Sequence, residues 1–97
     1  VAHMARIAAA ENAKNGIRVN AIAPGGVDTA IWESGEDFKA SVAAIGREAT
    51  ISRMAKTTPS GRFATSEEMA DSICYLLSDA ASNITGHVMV SDGGFTL

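Results

Sequence analysis

The chain has 97 residues, 46% hydrophobic and 20% charged, the size and composition of one small globular domain. Eight Lys and Arg against 11 Asp and Glu leave a formal charge of -3, a mildly acidic balance that argues against a nucleic-acid binder, which shows a basic face. One cysteine, Cys74, excludes an intrachain disulfide, no Cys/His cluster has zinc spacing, and no apolar stretch reaches the roughly 20 residues of a membrane span.

A reducing, cytoplasmic setting fits this composition. The N-terminus lacks the charged start and long apolar run of a signal peptide, and it opens in mid-helix pattern with no cap before it.

The first segment, "VAHMARIAAAENAKNG", places Val1, Met4, Ala5, Ala8 and Ala9 at helical spacing with Ile7 alongside. Alanine is the best helix former, and Asn15-Gly16 supplies the C-terminal stop. The small apolar face suits either close packing against another helix, possible between subunits, or packing on the chain's own sheet.

Residues Ile17–Ala23, "IRVNAIA", read as a short buried strand with Asn20 as its one uncharged polar residue. Pro24 ends it, since proline has no N–H for the ladder. From Asp28 to Ser60 the pattern is least regular. Helical spacing at Phe38, Val42 and Ile45, then at Ile51, Met54 and Ala55, predicts two short helices with a flexible join near Gly46. Gly35 before them and "TTPSG" after them mark hinges, so residues 30–60 are expected to form a mobile lid rather than a plain surface insertion.

"TSEEMADSICYLLSDAAS" is the clearest helix, expected over Thr65–Ser82. Thr65 with Glu68 forms a capping box, Glu67 and Glu68 complement the helix dipole, and Met69, Ile73, Leu76 and Leu77 make the apolar stripe. His87–Asp92 reads as a second buried strand before a Gly93-Gly94 bend. Two strands joined by a long crossover containing a helix make a parallel, right-handed β-α-β unit, so the fold class is α/β.

Ligands of parallel α/β sheets bind beyond the carboxyl ends of the strands, which is where Pro24, Gly25 and Gly26 fall. Glycines there leave no Cβ between the backbone and a flat ligand. The backbone groups of Val27 can then bond a carboxamide, and the Thr29 hydroxyl both donates and accepts. The alternative is a plain turn.

Three stretches in order, "GIRVNAIAPGGVDT", "GRFATSEEMADSICYLLSDAAS" and "ITGHVMVSDGG", resemble the C-terminal third of the short-chain dehydrogenase/reductase family. The resemblance covers nearly the whole chain and is weakest over residues 30–60. It implies that residues 1–97 are the C-terminal part of a doubly wound, parallel-sheet Rossmann domain binding NAD or NADP, with Ile17–Ala23 and His87–Asp92 as its last two strands. It also implies hydride transfer between the nicotinamide and an alcohol or carbonyl substrate. The family's Pro-Gly-x-x-x-Thr motif falls on Pro24, Gly25 and Thr29. Pro24, Gly25, Gly26, Val27 and Thr29 would flank the cofactor, with the Val27 backbone on the nicotinamide carboxamide. Ile31 and Trp32 would begin the substrate loop, and Trp32 and Phe38 would either wall the substrate or anchor the lid. Arg62 is expected to pair with Glu68 in a structural role. A homotetramer is the expected assembly, with a dimer next, through the first helix at one interface and through Thr65–Ser82 with His87–Asp92 at another.

The family's catalytic tyrosine and lysine would lie just upstream of Val1, and the glycine-rich turn that binds pyrophosphate would lie in the N-terminal part of the family's domain, so no catalytic residue is assigned within residues 1–97. Tyr75 has Asp79, not lysine, four residues on and reads as a packing residue. His87, Ser91 and Asp92 cannot form a triad, because neighbours on a strand alternate faces. Asp28 and Asp92 read as turn residues rather than metal ligands, and Cys74 as a buried, inert thiol. Two strands alone are marginal in water, so the 97-residue chain is expected to fold poorly by itself, within a natural polypeptide longer by about 150 residues. The competing reading is a truncated, non-catalytic relative that serves subunit contact only; a Tyr-x-x-x-Lys upstream of Val1 separates the two.

Overall fold

The alanine-rich start forms helix α1 (Ala2–Asn12), continued by a tight turn over Ala13–Asn15 and ended by Gly16 in the left-handed region at φ 75°. The computed structural model describes every residue from Val1 to Leu97. Of the α1 stripe only Ala5 and Ala9 are buried. Ala9 lies where the chain passes Gly86, while Met4 and Ile7 face outward.

Strand β1 covers Ala21–Pro24 and strand β2 Val88–Ser91. They pair in parallel, Ala21 opposite Val88 and Pro24 opposite Ser91, as the β-α-β reading requires. Both are shorter than expected. Residues before Ala21 meet a turn instead of a strand: Gly86 N–H donates to Val19 O (2.8 Å), and the Asn20 amide donates to Ile84 O and accepts from His87 N–H, both at 2.9 Å. Asn20 thus ties the loop before β2 to the start of β1. Pro24 is the last strand residue and not the stop after it. Ala21 donates to His87 O, just before β2, and Gly25 to Ser91 O, so by alternation the nitrogens of Ile22 and Pro24 face the other edge, where proline costs no ladder bond.

Between the strands, a tight turn over Ala30–Ser34 leads into α2 (Glu36–Ile45) and α3 (Arg47–Met54). Gly46 joins them at φ 88° and ψ 163°, a conformation that side chains rarely adopt. The join is braced. Buried Thr50 donates to Gly46 O (2.7 Å) and bonds the Ser41 hydroxyl (2.8 Å), which also accepts from Arg53. Gly35, expected as a hinge, sits at φ -85°, which any residue adopts. The far end of the segment is fastened to the strand tips: Ser60 N–H donates to Gly93 O at 3.0 Å, and a Cβ on Gly93 would strike Thr58 and Ser60.

Helix α4 (Ser66–Leu77) begins with the expected capping box. It stops five residues short of Ser82, because the Ser78 hydroxyl takes the Tyr75 carbonyl (2.6 Å) and Arg18 takes those of Leu76 (2.7 Å) and Ser78 (3.3 Å). Leu76 is buried and Leu77 exposed. Cys74 and Tyr75 are also exposed, correcting the expectation of a buried thiol; no other part of the chain covers that face of α4. The molecule is elongated, 55 × 23 × 22 Å.

Candidate functional site at the tip of the first strand

Both glycines after Pro24 have reasons inside the chain. A Cβ on Gly25 would come within 2.8 Å of the Asp92 side chain, and one on Gly26 would enter the Phe63 ring. Their missing side chains therefore admit Asp92 and Phe63, whereas the sequence suggested clearance for a flat ligand.

Beyond Gly26 the backbone makes a single parallel bridge between Val27 and Ala64. Asp28 N–H donates to Ala64 O (2.9 Å) and Ala64 N–H to Gly26 O (3.0 Å). In this geometry the N–H and C=O of Val27 itself point away from Ala64. The carbonyl accepts the Trp32 indole N–H at 2.8 Å, while the Val27 N–H donates to no acceptor of the chain. The Thr29 hydroxyl is only loosely engaged, 3.5 Å from Val27 O. An outward N–H and a hydroxyl two residues on therefore lie together at the strand tip, a pair that matches the acceptor and donor of a carboxamide.

Ile31 is 75% exposed, whereas Trp32 is turned inward. Its ring stacks on Phe63 with centroids 5.4 Å apart and planes at 20°, so Trp32 anchors the loop through both its face and its N–H. Phe38 is buried at the start of α2, with the Arg47 guanidinium 6.0 Å from its ring centre.

Asp28 and Asp92 are both engaged. Asp28 pairs with Arg47 at 2.7 Å. Asp92 accepts from the Thr96 hydroxyl (2.8 Å) and from the N–H groups of Gly94 (2.9 Å) and Thr96 (3.1 Å); the Thr96 hydroxyl first, then these N–H groups, hold its carboxyl below the usual range. Arg62 forks onto Glu68 at 2.6 and 2.9 Å. That fork, with the Thr65 N–H, lowers the Glu68 pKa to about 2. The pair fixes the entry to α4 and so the Phe63–Ala64 stretch beside Gly26 and Val27. Arg47 and Phe63 are both central here, and neither stands out in the sequence as a site residue; their partners lie far along the chain.

The family model for enoyl-(acyl carrier protein) reductases matches residues 1–96. The chain is 42% identical over 96 residues to a 2,5-dichloro-2,5-cyclohexadiene-1,4-diol dehydrogenase of Sphingobium indicum, covering 99% of this chain and 35% of that one. Among solved structures it resembles a short-chain dehydrogenase family protein from Francisella tularensis (TM-score 0.84, 34% identity, 98% of this chain and 39% of that one). It also resembles a 4-hydroxyisoleucine dehydrogenase complexed with NADH (TM-score 0.75, 30% identity, 98% and 35%). The chain spans about a third of the length of the curated relatives it matches. The solved relatives follow this chain's fold over nearly its whole length, and the chain belongs to the short-chain dehydrogenase/reductase family.

Proposed function

We propose that this chain is the C-terminal part of an NAD(P)-dependent oxidoreductase that moves a hydride between a nicotinamide and an alcohol or carbonyl carbon. The observation that carries the reading is the free Val27 N–H beside the loosely held Thr29 hydroxyl at the tip of β1. In this reading Val27 N–H donates to the carboxamide oxygen of the nicotinamide, and the Thr29 hydroxyl accepts from its amide. Pro24, Gly25 and Gly26 set the backbone path, with Asp92 and Phe63 packed where their side chains would be. The bound nicotinamide supplies or accepts the hydride; residues 1–97 orient its ring and cover it. Residues 30–60 act as the substrate lid, with Ile31, the exposed apolar residue of its first turn, offered to the substrate.

The Sphingobium relative acts on a cyclic diol by its name, which makes a secondary alcohol on a six-membered ring the first substrate to try. The exposed apolar residues Met4 and Ile7 of α1 and Ile73 and Leu77 of α4 suit burial in a full subunit and in a cytoplasmic homo-oligomer, a tetramer or a dimer.

The test is the intact protein assayed with NAD and with NADP by the absorbance of the reduced nicotinamide, beside Thr29→Val. Loss of one hydrogen bond weakens cofactor binding by about 1 kcal/mol. An unchanged dissociation constant removes Thr29 from the site, and an intact protein that transfers no hydride with either nucleotide removes the activity.

A further inference from the structure

Arg47 opens α3, yet every polar contact of its side chain lies in the segment just after the Pro-Gly-Gly run. Its Nη1 is 2.7 Å from Asp28 Oδ1, its Nε is 3.2 Å from Glu33 Oε1, and its Nη2 donates to the Thr29 carbonyl at 3.3 Å. The aliphatic and aromatic side of the same contact is the buried Phe38 ring beneath the guanidinium. The fork thus bridges both ends of the Asp28–Glu33 stretch and the main chain of Thr29 between them. Two carboxylates around one guanidinium leave no basic residue to spare at this point.

Helices α2 and α3 are held to each other by Thr50, Ser41, Arg53 and Gly46 O, so they move as one body if they move. Arg47 is the polar tie between that body and the strand tip. The guanidinium is 37% exposed and the Asp28 carboxylate 40%, so water and salt reach the pair and opening it does not strand a buried charge.

We propose that Arg47 is a positioning residue, a latch that closes the α2–α3 unit onto the Asp28–Glu33 segment and thereby sets how fast a bound nicotinamide nucleotide leaves. This rests on the cofactor reading of Val27 and Thr29 above. The rigid fork is what spans three partners; a lysine ammonium on a flexible stem reaches one of them. The fork therefore slows release and makes it more sensitive to salt, and a protein without the fork releases faster and with a shallower salt dependence.

The experiment measures release of NADH and of NADPH from the intact protein by stopped-flow fluorescence, chasing with the oxidised nucleotide at low and high ionic strength. Arg47→Met is expected to speed release about fivefold and to weaken its salt dependence. Arg47→Lys and Glu33→Gln are expected to speed it less and to keep part of that dependence; they carry the test if Arg47→Met does not fold. Release rates and salt dependence equal to wild type in the folded variants overturn the latch while leaving the cofactor reading intact. A lowered melting temperature with unchanged release also overturns it, marking Arg47 as structural alone. A wild-type protein that binds neither nucleotide overturns the cofactor reading, and the latch falls with it.

Discussion

Phe63 lies flat against the backbone of Gly26, at the position a side chain there would fill. Trp32 stacks on the same ring with centroids 5.4 Å apart and ties its indole N–H to Val27 O at 2.8 Å. The strand tip, the loop after it and the crossover before α4 are therefore locked by one aromatic pair, and the direction of the Val27 N–H depends on that lock.

Gly26→Ala should push a methyl group into the Phe63 ring. Overpacking of this kind costs about 1–3 kcal/mol. Urea unfolding of the intact protein should show the loss, and Gly26→Ala combined with Phe63→Leu should recover part of it. A single variant as stable as wild type would mean that the ring is not packed on Gly26.

The Arg62–Glu68 fork gives stability a pH signature. The Arg62 guanidinium, helped by the Thr65 N–H, holds the Glu68 carboxyl at about 2, below its ordinary value of 4.5. A carboxylate whose pKa is depressed by folding stabilises the fold above its unfolded pKa, and the gain is lost as pH falls through the folded one. The stability gap between wild type and Glu68→Gln should be full at neutral pH and close between about 4.5 and about 2. A gap that stays constant across that window contradicts the assignment.

The 97-residue chain studied alone should melt without a sharp transition. Ten residues are buried while twelve large apolar side chains are exposed, and its sheet has two strands, too few for independent stability in water. Circular dichroism during heating reads this directly. A steep cooperative transition at moderate temperature would show that the small core suffices.

What could be read before folding was local. The Thr65–Glu68 cap spans one helical turn, the break at Gly46 shows as a glycine inside helical spacing, and Pro24-Gly25-Gly26 punctuates a β-branched, apolar run. What could not be read was contact between distant segments. Nothing in "GREAT" says that Arg47 will meet Asp28, and nothing in "GRF" says that Phe63 will cover Gly26. The strand limits fell in the same class: β1 starts late because Val19 and Asn20 bond the 84–87 turn. Helix α4 ends early because Arg18, from before β1, collects its last carbonyls. Cys74 misled because, of the apolar neighbours that suggested burial, Leu76 is buried but Ile73 is exposed, and Cys74 shares the open side of the helix.

The most direct test of the strand-tip assignment is a crystal structure of the intact protein with an oxidised nicotinamide dinucleotide. The expected result is the carboxamide oxygen about 2.9 Å from the Val27 nitrogen, with the Thr29 hydroxyl on the amide beside it. A nicotinamide ring bound elsewhere, with the Val27 N–H facing water, would contradict it.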